Sequence, residues 1–261
     1  MNKDFKNKNV LIIGGSRGIG ESISLNFLKY GAKIFINFDK KNDLINDVNI
    51  VKKLKEKLQK YKNNYTLFDC DISKYKNLKK ITDAAIKKMK HIDILILNAG
   101  VCKFSELLLV NEAIHDHTFK VNQKAPFFIT KNIIKHMINK KIKGKIVFTS
   151  SISSFIGSEH QAHYCSTKGA INQITRSMAI FAGKHQINVN AVLPGTVLTD
   201  LNIKQLENNK KLKKYFIDRS CLGRFPSKED IANAVLFLSS NFSKSITGEM
   251  LVVDAGTTIK I

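Results

Sequence analysis

The sequence predicts a single α/β domain, a doubly wound seven-stranded parallel sheet flanked by helices. Two observations carry that reading. Short apolar runs alternate with helical stretches along the whole chain, and the first run ends in a glycine turn that opens a helix. Strands are expected at Val10–Ile13, Lys33–Phe38, Tyr65–Asp69, Ile94–Leu97, Lys145–Ser150, Asn188–Leu193 and Glu249–Val253. Helices are expected at Gly18–Tyr30, Asp43–Lys60, Tyr75–Met89, Asn111–Asn139, His163–Gly183 and Lys228–Leu238. No repeat or linker interrupts residues 1–261, a length that suits one domain burying about three quarters of its extended surface.

In chain order, the first strand is four apolar residues, and an amphipathic helix follows its turn. The second helix is very polar. Val48, Val51, Leu54, Leu58 and Tyr61 give it a narrow apolar stripe among lysines, as on a solvated outer helix. Asn111–Asn139 and His163–Gly183 are the long helices. Ile133, Ile134, Ile174 and Met178 on them suit either the core or a subunit interface. Residues 202–219 form a polar, variable stretch after the sixth strand.

Composition narrows the function classes. Hydrophobic residues make up 43%, ordinary for a soluble protein and too dispersed for a membrane span. Met1-Asn2-Lys3-Asp4-Phe5-Lys6 has no apolar secretory core, so a cytoplasmic location is expected. The net charge of +22 invites a nucleic-acid reading, yet only four of the 43 basic residues are Arg. Bidentate recognition of phosphates and bases favours Arg. The lysines are scattered along helices, so no specific nucleic-acid partner is expected. Cys70, Cys102, Cys165 and Cys221 are far apart, without CxxC spacing, and read as free thiols. Cys102 and Cys165 fall near the candidate site, where a thiol reagent would block sterically. No third ligand accompanies His160 and His163, so they are read as pocket-lining and no metal is expected.

The chemistry gathers on a few spacings. Gly14, Gly18 and Gly20 follow the first strand as Gly-x-x-x-Gly-x-Gly, which lets a pyrophosphate approach the helix N-terminus. With that turn, the alternation describes the Rossmann-type architecture. Tyr164 and Lys168 stand one helical turn apart on one face, and Ser151 lies thirteen residues before Tyr164. A nearby ammonium favours the phenolate, so Lys168 is expected to lower the Tyr164 pKa from about 10 and fit it for general acid–base work.

These residues, with Asp71, Asn98-Ala99-Gly100, Asn122, Pro194-Gly195 and Thr199 in order, resemble the short-chain dehydrogenase/reductase family over essentially the whole chain. The resemblance implies a catalytic set of Ser151, Tyr164, Lys168 and Asn122, the last kinking its helix and holding a proton-relaying water. For the dinucleotide it implies Gly14, Ser16, Arg17, Gly18, Ile19, Gly20, Asn37, Asp71, Ile72, Asn98, Ala99 and Gly100. Tyr164, Lys168, Pro194, Gly195, Val197 and Thr199 complete that set. Ile13 and Leu97 replace the family's usual Thr and Asn, so a looser link between the turn and the fourth strand is expected. Phe38 stands where an acid would select NAD. Arg17, with Asn37, Lys40 and Lys41, favours NADP, while Asp39 leaves NAD possible. The family implies a homotetramer and a mobile lid at about 202–219.

The site loops resemble sugar 1-dehydrogenases, those for 6-deoxy-aldoses above all. Ser153, Gln161, Thr196 and Asn202 are expected to join Ser151 and Tyr164 in pairing a sugar's hydroxyls. The expected reaction is NADP-preferring oxidation of the anomeric hydroxyl of an aldose of the L-fucose, L-rhamnose or D-arabinose type to a lactone. The alternative enzyme is a 3-oxoacyl-[acyl-carrier-protein] reductase using NADPH, whose acidic carrier would suit the basic surface. A non-catalytic dinucleotide sensor or nucleic-acid-binding protein is the reading from another class.

Overall fold

The computed structural model describes residues 4–40, 49–199 and 203–260. Seven parallel strands form one sheet in the order β3-β2-β1-β4-β5-β6-β7. They are β1 Asn9–Ile13, β2 Lys33–Phe38, β3 Tyr65–Asp69, β4 Ile94–Leu97, β5 Lys145–Thr149, β6 Asn188–Pro194 and β7 Met250–Val253. The strands lie within a residue of their expected ends, because a parallel strand covered on both faces reads as a continuous apolar run.

Alternate residues of the central strands feed two cores. Leu11, Ile13, Leu95 and Leu97 face the layer of α3 (Tyr75–Met89), α5 (Ala125–Asn139) and α6 (Ala162–Gly183). Val10, Ile12, Ile94 and Ile96 face α1 (Gly18–Lys29) and α9 (Lys228–Ser239). Leu54 and Leu58 of α2 (Asn49–Leu58) are fully buried in that second core, and Tyr61 just after the helix packs against it. The expected start of this helix, Asp43–Val48, lies outside the described residues.

One expectation changes. The helix expected at Asn111–Asn139 is divided into α4 (Glu112–Phe119), a π turn at Lys120–Lys124 and α5. Asn122 sits in that turn with its amide spent on a neighbouring loop, and π turns of this kind are frequent at functional sites. Ile133 and Ile134 are buried in the core, and the partly buried Ile174 and Met178 pack against it. Ile180 and Phe181 of α6 are exposed.

The stretch after β6 is not an irregular loop. It holds α7 (Ile203–Asn208) and α8 (Lys210–Asp218), the second capped by Asn209, whose side chain accepts from the Leu212 amide. Among the described residues no helix is long and apolar enough to cross a membrane. Nor does any group of three or more His, Cys, Asp or Glu there have the closeness to hold a metal ion.

Candidate active site

The strand order reverses between β1 and β4, and the crevice at the carboxyl end of that pair is where doubly wound sheets bind ligands. The glycine turn lies there. A Cβ on Gly14, whose φ is +76°, would stand 2.6 Å from the Ala99 Cα. A Cβ on Gly20 would stand 2.0 Å from the Gly14 carbonyl oxygen. Gly14 and Gly20 therefore have no room for side chains, which lets the turn pack closely at the N-terminus of α1 where a ligand can approach its backbone.

Without the usual Thr and Asn, the turn is tied to β4 by other hydrogen bonds. The backbone amides of Asn98 and Ala99 donate to the Ile13 carbonyl at 3.0 and 2.9 Å. The Asn98 side chain adds a bond to the Gly14 carbonyl at 2.8 Å and accepts from the Thr149 hydroxyl at 3.3 Å. Backbone and Asn98 supply the tie that the missing side chains would have made.

Asn37 is buried and donates to the Cys70 carbonyl at 2.9 Å, pinning the end of β3 beneath Asp71. Its amide is spent on the fold and does not add to the field for a 2′-phosphate. Burial opposes charge on Asp71, but the hydroxyl and amide of Ser73, with Lys74 beside it, hold its carboxyl below the usual range. Lys41 lies outside the described residues.

Ser151 is the second residue after β5 and caps a short 3-10 turn, accepting from the Ser153 amide at 3.1 Å. A hydrogen-bond chain ties this loop to α6: Ser150 Oγ donates to Asn172 Oδ1 at 2.8 Å, and Asn172 Nδ2 donates to Ser154 Oγ at 2.8 Å. Ser154 Oγ in turn donates to the Ser151 carbonyl at 2.6 Å. Ser151 stands beside Tyr164 and favours the ionised form of its phenol. Lys168 Nζ donates to the Thr149 carbonyl at 2.8 Å and lies 5.5 Å from the centre of the Tyr164 ring.

Asn122 faces the same place from behind. Its Oδ1 accepts from the Val101 amide and its Nδ2 donates to the Val101 carbonyl, both at 2.8 Å. Nδ2 also reaches Thr167 Oγ1 at 3.2 Å. A Cβ on Gly100 would be 3.6 Å from both Asn122 Oδ1 and Lys168 Nζ, so these two groups converge on one glycine.

The electrostatics overturn one expectation. Burial pushes the Tyr164 phenol above its ordinary value; Ser151 opposes the rise without cancelling it. Burial also depresses the neighbouring Lys168 to about 8, so attraction between ammonium and phenolate does not bring the phenol below its ordinary value. Desolvating a charge here outweighs the expected attraction between ammonium and phenolate. Burial also raises the Cys102 thiol, against a bond from Gln161 Nε2 at 3.1 Å, so Cys102 is a weak nucleophile.

One cavity of about 730 Å³ joins these parts. Every residue expected to bind cofactor or substrate, or to act in catalysis, lines it except Gly20, Asn122 and Asn202. Gly20 is packed inside the turn, Asn122 stands behind Gly100 and Val101, and Asn202 lies outside the described residues. His160 lines the cavity, but His163 does not. It is buried in the first turn of α6, and neither ring nitrogen has a hydrogen-bond partner among the described residues. The sequence reading did not single out the lining residues Leu212, Tyr215 and Phe216 of α8, Arg219 just after it, or Ile156. Their only signal was the i, i+3, i+4, i+7 spacing of the first four among lysines.

The residues fit a dinucleotide. A glycine turn meets a helix N-terminus, and one cavity is lined by Arg17 and Asp71 as well as by Ser151, Tyr164 and Lys168.

Comparison with known proteins agrees with this geometry. A family profile described as enoyl-(acyl carrier protein) reductase matches residues 14–258. The chain is 37% identical to an L-rhamnose 1-dehydrogenase (NADP(+)) of Thermoplasma acidophilum, covering 99% of each. It is 32% identical to a 3-oxoacyl-[acyl-carrier-protein] reductase of Rickettsia typhi over 97% of this chain and 98% of that one. A solved short-chain dehydrogenase/reductase of Serratia marcescens superposes with a TM-score of 0.87 at 23% identity, covering 98% of this chain and 99% of that one, and shows the shared fold. The chain therefore belongs to the short-chain dehydrogenase/reductase family, oxidoreductases that act on CH–OH groups.

Proposed function

We propose that this enzyme oxidises the anomeric hydroxyl of an aldose, of the L-rhamnose or L-fucose type, to the lactone, with NADP preferred over NAD. The observation that carries the reading is the polar wall around Ser151 and Tyr164. Ser153, His160, Gln161 and Thr196 line the same cavity as the catalytic pair. A buried sugar hydroxyl without a partner is costly, so a sugar site needs such groups. The relative from Thermoplasma acidophilum supports the substrate class and the cofactor. Arg17 in the turn supports NADP, and the uncharged Phe38 at the end of β2 removes the acid that would repel a 2′-phosphate.

Ser151 holds the anomeric oxygen, and Tyr164 takes its proton as the C1–H bond breaks. A bound nicotinamide supplies the acceptor for the hydride that leaves C1. Lys168 would hold the nicotinamide ribose, and its ammonium compensates the phenolate as the proton arrives from substrate. Asn122, which meets Lys168 at Gly100, would hold the water that returns the proton to solvent. The same reading extends to assembly as a homotetramer through the long helices, which sedimentation of the purified chain tests.

A 3-oxoacyl-[acyl-carrier-protein] reductase is the second reading, favoured by the apolar lid residues and by the Rickettsia typhi relative. Nicotinamide absorbance with L-rhamnose, L-fucose, D-arabinose, D-glucose and an acetoacetyl thioester, each with NAD(H) and NADP(H), separates the two. NADP reduction by a deoxy-aldose is expected. NADPH oxidation by the thioester alone would replace the proposal with the second reading.

A further inference from the structure

The cavity has two unlike sides. Ser153, Ser158, His160 and Gln161 make it polar near Ser151 and Tyr164. The lid contributes a different surface. Leu212, Tyr215, Phe216 and Arg219 all line the cavity, at the spacing of one helical stripe on α8. The intervening Lys210, Lys211, Lys213 and Lys214 do not line it. Tyr215 is 53% exposed and yet braced, since Arg219 donates to its hydroxyl at 3.2 Å and lies 5.7 Å from its ring centre. Phe104, 49% exposed, and Ile156 add to the apolar lining.

A ligand here must pair its hydroxyls with the polar wall and lay an apolar part against the stripe. The geometry points to α8 as the element that reads carbon 6 of the sugar: Leu212, Tyr215 and Phe216 cover a methyl group and disfavour a hydroxymethyl. The inference rests on the aldose reading above and adds the residues that choose among aldoses. Tyr215 carries the one hydroxyl on the stripe, and Arg219 donates to it. A 6-hydroxyl laid against Leu212, Phe216 or the face of the Tyr215 ring would give up water for little return, whereas a methyl leaves water for an apolar surface. Arg219 is a positioning residue that acts through the Tyr215 ring.

The test compares kcat/KM, with NADP, for L-rhamnose and L-mannose, which differ only in the hydroxyl on carbon 6. L-Fucose and L-galactose give the same comparison in a second ring configuration. The deoxy sugar of a pair should be preferred by about 10- to 100-fold, the range an apolar pocket achieves for such a difference. Phe216→Ser should reduce that ratio by roughly threefold or more, through the KM of the deoxy sugar. Arg219→Ala, which frees the ring without shortening it, should raise the same KM and leave kcat unchanged. Turnover of both members of a pair without preference would overturn the role of α8 and leave the aldose reading standing. So would an equal loss on both sugars in Phe216→Ser. Failure to oxidise any aldose would remove the aldose reading and this inference with it.

Discussion

Asn98 donates from its side-chain amide to the Gly14 carbonyl at 2.8 Å, joining the end of β4 to the glycine turn across 84 residues of sequence. A Cβ on Gly20 would stand 2.6 Å from that same amide nitrogen, so the three residues lock together. Asn98→Ala removes the side-chain bond and spares the backbone bonds to Ile13. A neutral hydrogen bond contributes about 1 kcal/mol, so NADPH affinity should fall between about five- and tenfold. Enhancement of NADPH fluorescence on binding measures this. Unchanged affinity would mean that the backbone alone holds the turn.

Arg17 sets the cofactor prediction. It lies in the turn and lines the cavity near Asp39 and Asp71. A guanidinium pairs with phosphate through charge-assisted bonds worth about 1.5–3 kcal/mol. Arg17→Ala should therefore lower kcat/KM for NADP by roughly 10- to 100-fold and change that for NAD by less than about threefold. Equal loss with both cofactors would show that Arg17 serves the pyrophosphate or the turn, and the preference would have to come from elsewhere.

Much of this was legible in the residues, for a local reason. Buried parallel strands are written as unbroken apolar runs such as Val10–Ile13. The glycine turn and the Tyr164–Lys168 pair are defined by spacing within one element. What depends on distant contacts was not legible. The replacement of a missing Asn at Leu97 by the Asn98 side chain needs the turn and β4 side by side. The sign of the Tyr164 shift is a property of burial, which an i, i+4 spacing does not contain. The stripe on α8 is present in the sequence, but the lysines between its members mask it as a polar stretch.

Tyr164 carries the pH prediction. Its phenol is raised by burial, so at neutral pH the protonated form dominates and the base form grows as pH rises. Oxidation of the aldose should therefore speed up by nearly tenfold per pH unit below pH 8. Lys168 loses its proton near 8, and with it the cation that favours the phenolate, so the profile should bend there. Tyr164→Phe should lower kcat by about a thousandfold and leave NADPH affinity within about threefold. Rates that fall with pH from 6 to 8 would exclude Tyr164 as the base in this direction.

Lys168 exchanges stability for chemistry, and the exchange can be measured without turnover. Its side chain is buried, and its pKa is lowered from 10.5 to about 8 by that burial. A lowered lysine pKa means that the folded chain binds its proton less well than the unfolded chain. The cost is therefore fullest below pH 8, shrinks between 8 and 10.5, and is gone above that. The shift corresponds to about 3 kcal/mol, from which Lys168→Met gives back about 1–2 kcal/mol by leaving the Thr149 carbonyl without its donor. The variant should be inactive and yet melt a few degrees higher at pH 7, with the advantage reversed above pH 10.5, where only the lost hydrogen bond remains. Calorimetry at the two pH values decides it. A lower melting point at pH 7 would mean that the bond to Thr149 outweighs the buried charge, and that Lys168 holds this corner of the fold together as well as serving its chemistry.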